Sequence, residues 1–450
     1  MTKRKRRLTN KIKAASAAAA KQGLNPRAHP DAAGIDIGAE ELVAAVPPGR
    51  CAGDTVRTFS SFTVGVEALR DWLLACGIQT AALESTGNYW ITTYSLLSDA
   101  GIDVCLVNAR HVKGVPGKKT DVCDAQWLQQ LHSAGLLKKS FRPDQAIVPL
   151  RYLMRHRSEI IAEAGRQTQL MQKVLTEMNL HIHHVFSDVD GVSAQAIFIA
   201  ILAGERDAQR LAALRDKRCR SPKEKIIDAL KGDYRPEYLF VLRQCQQRWT
   251  QCNQAITECD VQIAVLVKSV SGDTDAPPPT APAEQRRIHK NTPATLPIYD
   301  EAYRFYGVDL SAVPGVSAGV LGVLMSEVGT GSQMRKAFRS AEAFSSWMGL
   351  CPDNRISGGK VLKAKTRKVP SRVARALRLA AQCVSRSDNK IGEFCRRLKA
   401  RLGKAEGIVA TAHKLARILY GMIKSRQAYT ETEVRVQNKG NGLVHNIGNT

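Results

Sequence analysis

Asp36, Glu84, Asp121 and Asp124 are the residues whose types and spacing point most directly to chemistry. Asp36 stands in Gly34-Ile-Asp-Ile-Gly38, a strand pattern whose flanking glycines let a backbone or a phosphate come close. Glu84 ends another apolar strand, in Ala82-Leu-Glu-Ser-Thr-Gly87. If both strands are central in a sheet, the two carboxylates emerge side by side at its edge. Asp121 and Asp124 are three apart in Lys119-Thr-Asp-Val-Cys-Asp-Ala125, at the start of a predicted helix, and so share a face. Four oxygen donors converging there suit Mg²⁺, a hard cation that prefers carboxylates and waters. Two such ions, about 3.5–4 Å apart, would stabilise both the nucleophile and the leaving group of phosphodiester cleavage. Taken singly, Asp36 reads as a strand end, Glu84 as a capped turn, and the aspartate pair as a helix start favoured by the macrodipole. An aspartate between glycines also opens the actin-like sugar kinases, but the glycine-rich phosphate loops they need are not evident downstream.

A second constellation lies near the C-terminus. Ser357, in Asn354-Arg-Ile-Ser-Gly-Gly-Lys360, is followed by two glycines and then by Lys363, Lys365, Arg367, Lys368, Arg372, Arg375 and Arg378. Such a serine is sterically open, and the cations would draw a phosphate and lower the cost of an alkoxide. No histidine lies close in sequence to activate it, so spacing alone leaves a phosphate-binding loop as the simpler reading. Upstream, Val313-Pro-Gly-Val-Ser317 before a helical run resembles a helix-hairpin-helix turn, whose amides near Gly315 would hold a DNA phosphate. An ordinary helix-opening turn is the alternative.

Positioning these groups requires particular elements. Strand patterns at Gly34–Ile37, Leu42–Val46, Val56–Phe59, Ala81–Glu84 and Asp103–Val107, with helical spacing at Val66–Ala75 and Tyr89–Ala100, give the element order of an RNase H-like α/β fold. Residues 150–271 turn to long helical periodicity. There Leu242, Cys245, Trp249, Cys252, Ile256, Cys259, Ile263, Leu266 and Val270 make one apolar seam, and a weaker stripe runs from Met154 to Ile182. The two stripes fit an antiparallel coiled coil or a dimer contact. His181, His183 and His184 invite a metal reading, but no carboxylate or thiol has matching spacing, and a helix-end or nucleic-acid-facing cluster is preferred. The Pro- and Thr-rich stretch 272–304 reads as a linker, 305–430 as a mainly helical domain, and 431–450 as a tail.

Composition limits the partners. The chain has 450 residues, 44% hydrophobic, enough for two or three domains with real cores. Its formal charge of +25 is spread along the length, which favours a polyanion that releases counterions on binding. Residues 1–32 read as a basic arm or a solvated tail, since Lys21 and weakly apolar alanines argue against a signal peptide. No apolar stretch approaches the ~18 residues of a membrane span. Eleven cysteines without a CxxC pair suggest a reducing cytosol.

Longer motifs carry a resemblance. Glu84-Ser-Thr-Gly-Asn-Tyr-Trp90, Val107-Asn-Ala-Arg-His-Val112 and Val115-Pro-Gly-Lys-Lys-Thr-Asp-Val-Cys-Asp-Ala125 resemble the N-terminal half of the DEDD insertion-sequence transposases, the one-ten family or bridge recombinases. Gly349-Leu-Cys-Pro-Asp-Asn-Arg-Ile-Ser-Gly-Gly-Lys360 and Ala410-Thr-Ala-His-Lys-Leu-Ala-Arg417 resemble its C-terminal transposase half. The resemblance implies a RuvC-like domain over 33–149 whose metal-binding tetrad is Asp36, Glu84, Asp121 and Asp124. It implies that Ser357 is a nucleophile forming a transient covalent link to DNA. It further implies donor and target DNA as substrates, a structured noncoding guide RNA, dimers assembling to a tetramer, and a prokaryotic, nucleoid-associated setting. Lys360, Lys363, Lys365, Arg367, Lys368, Arg372 and Arg375, with Gly315, are the expected nucleic-acid contacts. Two features depart from the family: a middle segment, 142–304, longer than its core requires, and Val369-Pro-Ser-Arg372 where many relatives carry Gly-Asn. The competing expectations are a RuvC-like junction nuclease and a noncatalytic nucleic-acid-binding protein.

Overall fold

The computed structural model describes residues 28–51, 53–84, 87–108, 121–279, 286–358, 360–363 and 365–431. Most of the expected basic arm and tail, and residues 109–120 of the second and third motifs, lie outside them. Contacts divide the chain after Arg142 into two compact units.

The first unit is built on a five-stranded sheet of β1 (Ala32–Ile37), β2 (Glu41–Ala45), β3 (Val56–Ser60), β4 (Thr80–Glu84) and β5 (Asp103–Val107), in the order β3-β2-β1-β4-β5. β1, β2 and β3 pair antiparallel, while β1–β4 and β4–β5 are parallel. Strand alternation sends Ile35, Leu42, Leu83 and Leu106 to one face, where they pack with Leu69 and Leu73 of α1 (Thr63–Ala75) and Leu97 of α2 (Trp90–Asp99). The opposite face presents Val43, Ala45, Ala82, Cys105 and Val107 to Ala125 and Leu128 of α3 (Asp121–Ser133). This mixed sheet between helices is consistent with the RNase H-like order, and every expected strand falls within two residues of its observed bounds.

The second unit is mostly helical. α4 (Val148–Glu177) leads through α5 (Val192–Leu202), α6 (Ala208–Ala213) and α7 (Lys223–Ala229) to α8 (Pro236–Ser269). The long helices α4 and α8 lie antiparallel: Met171 and Leu175 share a core with Leu242 and Cys245, while farther along Arg157 pairs with Asp260. That ion pair is buried on both sides, and Asp260 also accepts from Ala294 N at 3.0 Å while Arg157 donates to Asn291 O at 2.8 Å. The charges are tolerable there because each is hydrogen-bonded as well as paired.

Beyond lie α9 (Ile298–Tyr306), α10 (Ala318–Val328), α11 (Gly331–Ala337), α12 (Ala341–Trp347), the hairpin of β6 (Arg355–Ser357) and β7 (Lys360–Lys363), then α13 (Arg372–Val384), α14 (Lys390–Leu402) and α15 (Lys404–Ser425). The stretch 272–304, expected to be a linker or exposed loop, carries a buried anchor. The Asp273 side chain is buried and accepts from Ser332 N at 2.9 Å and Arg335 Nη2 at 2.7 Å, so its polar stretch is pinned to the helices that follow. A Pro-rich composition disfavours helix and strand but does not forbid docking through one anchored carboxylate. All ten described cysteines are unpaired, and among the described residues no helix is long and apolar enough to cross a membrane.

Candidate active site

The sheet places Asp36 and Glu84 in register. Ile35 of β1 faces Leu83 of β4, so the next step along both parallel strands brings Asp36 beside Glu84. Each follows a residue packed towards α1 and α2, so both carboxylates belong to the α3 face. Their partners on the outer strands, Val43 for Asp36 and Val107 for Glu84, line that same face. Both acids are half-buried, as is Asp124.

The direction of α3 brings its acidic end to that edge. At its C-terminal end, Gln129 Nε2 donates to Ala32 O at 3.3 Å, His132 Nε2 meets Thr80 Oγ1 at 2.8 Å, and Ser133 O accepts from His29 N at 3.1 Å. Ala32 and Thr80 begin β1 and β4, so α3 runs antiparallel to them and its start lies where Asp36 and Glu84 emerge. Gly34 makes this possible: a Cβ there would sit 2.4 Å from Ala125 O and 2.2 Å from Gln129 N. The close approach foreseen for a glycine flanking Asp36 is therefore that of a helix backbone. Because no side-chain rotation relieves a backbone clash, Gly34→Ala is expected to cost roughly 2–3 kcal/mol and to lift α3 from the edge. Thermal unfolding of the variant checks the first, and loss of DNA strand exchange the second.

His132 is a positioning residue that spacing did not reveal. Thr80 Oγ1 donates to Asp103 O at 2.7 Å, so it accepts from His132, whose Nε2 therefore carries a proton. Burial, and then the neighbouring His29, push the His132 pKa down to about 4. Below the ordinary value near 6.5 the unfolded chain takes up a proton that the folded chain refuses, so stability falls as pH drops from about 6.5 towards 4. A loss of roughly 2 kcal/mol is expected, less than the full shift because solvent screens part of it. Melts across that range should show this slope, flattened in His132→Gln.

Asp36, Glu84 and Asp124 are brought to one edge. Among the described residues, the only group of three or more potential ligand atoms lying within 4.8 Å of each other is His181, His183 and His184. Asp121 opens α3, and its side chain lies outside the described residues. The acids nonetheless form an all-oxygen donor set of half-exposed carboxylates, which is the chemistry a hard, partly hydrated divalent cation requires.

In the second unit, Ser357 ends β6 and faces Lys360 across the turn at Gly358, whose φ of +54° favours glycine. The serine is exposed. The hairpin continues to its base through Asp353 N donating to Lys365 O at 3.0 Å and the Pro352–Thr366 bridge. Arg367 then ties it to α12, donating to Ser346 O at 2.5 Å and Ser346 Oγ at 3.0 Å. Ser371 caps α13 by accepting from Ala374 N at 3.1 Å, which supplies a defined turn at Val369-Pro-Ser-Arg372 without Gly-Asn. Arg372 is half-buried, 4.0 Å from Glu327 and 3.8 Å from Glu159, and Glu327 also holds Arg151 and Arg155. Arg372, one of the expected nucleic-acid contacts, is thus drawn into the protein, whereas Lys365, Lys368 and Arg375 are exposed, as is Arg367 despite its bonds to Ser346. The side chains of Lys360 and Lys363 lie outside the described residues. Gly315, with φ of +86°, packs so that a Cβ would lie 3.0 Å from Ala380 O and 3.1 Å from Val384 Cγ2. Packing on α13 accounts for this glycine without a phosphate.

Behind the hairpin, Cys351 Sγ lies 3.6 Å from His413 Nε2. Burial raises the thiol's pKa and lowers that of the imidazole, which favours the neutral form of each. Sequence gave no hint of this pair, because its members are 62 residues apart.

Comparison with known families agrees with both halves. The DEDD transposase family of IS110 matches residues 33–180, and the family described as Transposase IS116/IS110/IS902 matches residues 309–396. No curated protein matches the chain. The first match covers the acidic edge, the second covers the serine hairpin, and together they span more than half of the sequence; the chain belongs to the IS110 family of DEDD transposases and is a DNA transposase.

Proposed function

We propose that this transposase breaks and rejoins DNA through a phosphoserine intermediate at Ser357, with Asp36, Glu84, Asp121 and Asp124 holding two Mg²⁺ ions. The observation that carries the reading is the shared register of Asp36 and Glu84 on neighbouring parallel strands, at the edge where α3 begins. Divalent ions bound there supply charge neutralisation at the scissile phosphate.

The chain's own residues do the rest. Ser357 Oγ attacks phosphorus and gives up its proton, a P–O ester bond forms, and the bond to one sugar oxygen breaks as that oxygen gains a proton. One phosphoester replaces another, so no ATP is needed, and a hydroxyl from a second strand reverses the step to join new partners. Lys360, Lys363, Lys365, Lys368 and Arg375 hold the backbone phosphates on either side, as point charges that fix position without reading sequence. Arg367 and Arg372 position the hairpin and α13. Sequence is read by a structured noncoding RNA, and dimers assemble to a tetramer around the DNA; this part rests on the family resemblance and on the chain's charge of +25.

Full-length protein incubated with Mg²⁺, element-end DNA and the transcript flanking the gene should yield a denaturation-resistant protein–DNA adduct on the peptide containing Ser357. Cleavage without any adduct would assign the attack to water, and the chain would act as a junction nuclease.

A further inference from the structure

We propose a second metal site, of a different class, formed by His181, His183 and His184 in the helical unit and suited to Zn²⁺ or a similar borderline cation. The three imidazoles offer nitrogens that all lie within 4.8 Å of one another. They stand on and beside the 3-10 turn Ile182–His184, where residues three apart eclipse, and the rings of His181 and His184 accordingly stack at 5.2 Å with 9° between planes. His183 lies across them, 4.2 Å from His184 between ring centres.

The second observation is the protonation pattern of His181. Its Nε2 donates to Asn179 Oδ1 at 2.9 Å, which leaves Nδ1 as the ring nitrogen available to a metal. That Nδ1 is buried and has no hydrogen-bond partner among the described residues. An orphaned, correctly tautomerised nitrogen whose opposite edge is held by a carbonyl is the arrangement of a metal-binding histidine. Asn179 itself is held at φ of +53°, a left-handed conformation that asparagine tolerates, just past the end of α4.

Tetrahedral coordination with Zn–N near 2.1 Å puts ligand nitrogens about 3.4 Å apart. Small ring rotations therefore close the set. His183 and His184 also line a cavity of about 640 Å³ together with Asp188 and Cys219, which leaves a fourth position for water. Imidazole nitrogens select borderline cations, whereas the carboxylates of the first unit select hard ones, so the two sites take different ions.

The test uses full-length, tag-free, chelator-stripped protein titrated with Co²⁺ or Zn²⁺ in excess Mg²⁺, which occupies hard oxygen sites. One Co²⁺ per chain should bind with the intense visible absorption of nitrogen-rich four-coordination, and Zn²⁺ should displace it and raise the melting temperature. His183→Ala and His184→Ala should abolish this signal, Asn179→Ala should weaken binding ten- to a hundredfold, and His156→Ala, on an exposed face of α4, should change nothing. Circular dichroism of the metal-free variants guards against misfolding, and His183→Gln serves where alanine fails to fold. Absence of Co²⁺ binding in the wild type, or equal binding in folded His183 variants, would overturn the proposal.

Discussion

Ser357→Ala is expected to lower DNA strand exchange by at least about a thousandfold, because removing the nucleophile of a covalent route leaves only binding and charge stabilisation. The adduct should vanish altogether. Binding of element-end DNA should stay within about twofold of wild type, since the cations around the hairpin are untouched. Stability should also hold, within roughly 0.5 kcal/mol, because the serine is exposed at the hairpin end of β6. Ser357→Cys keeps a nucleophile and should still form an adduct, now a thiophosphate ester, with slow resolution. Gel analysis of trapped complexes beside an integration assay separates these outcomes. If Ser357→Ala recombined at the wild-type rate, the hydroxyl would be a phosphate ligand and the attacking group would lie elsewhere.

The fold was legible where local pattern determines it. β5 falls on its expected bounds because Asp103–Val107 is a short apolar run between turn signals, and α8 follows the three-four spacing of its seam. Asp260 was not read from that seam, because a charge among apolar positions is stable only with Arg157, 103 residues away and invisible to periodicity. The same limit hid His132 against Thr80 and the seating of α3 on Gly34. The run of cations falls on and after the hairpin. Charge alone could not distinguish Arg372, half-buried against Glu327, from exposed Lys368, because both are cations and differ only in what folds against them. Spacing likewise did not show that the histidines at positions 181, 183 and 184, which match no α-helical face, converge on a 3-10 turn. The placement of Asp36 beside Glu84 was legible for a physical reason: strand ends fix both their face and their edge.

Asp36→Asn and Glu84→Gln are each expected to reduce strand exchange by a hundred- to a thousandfold while the protein remains folded. The two changes should not multiply, because groups that hold one charge cluster act as a unit and the first loss already disables it. Glu84→Asp keeps the charge but withdraws the carboxylate by one methylene along the edge, so activity should fall less and the divalent-ion requirement should rise. DNA binding provides the sharper discrimination. Each neutralised acid removes a negative charge near the scissile phosphate, so measured without divalent ions at low salt the affinity of Asp36→Asn should increase, and the gain should shrink as salt screens it. A purely structural role for these carboxylates predicts the reverse, with lower stability and weaker binding moving together. Melting curves alongside salt-dependent binding isotherms therefore decide the question, and tight binding joined to lost catalysis is the combination that a metal-holding edge requires.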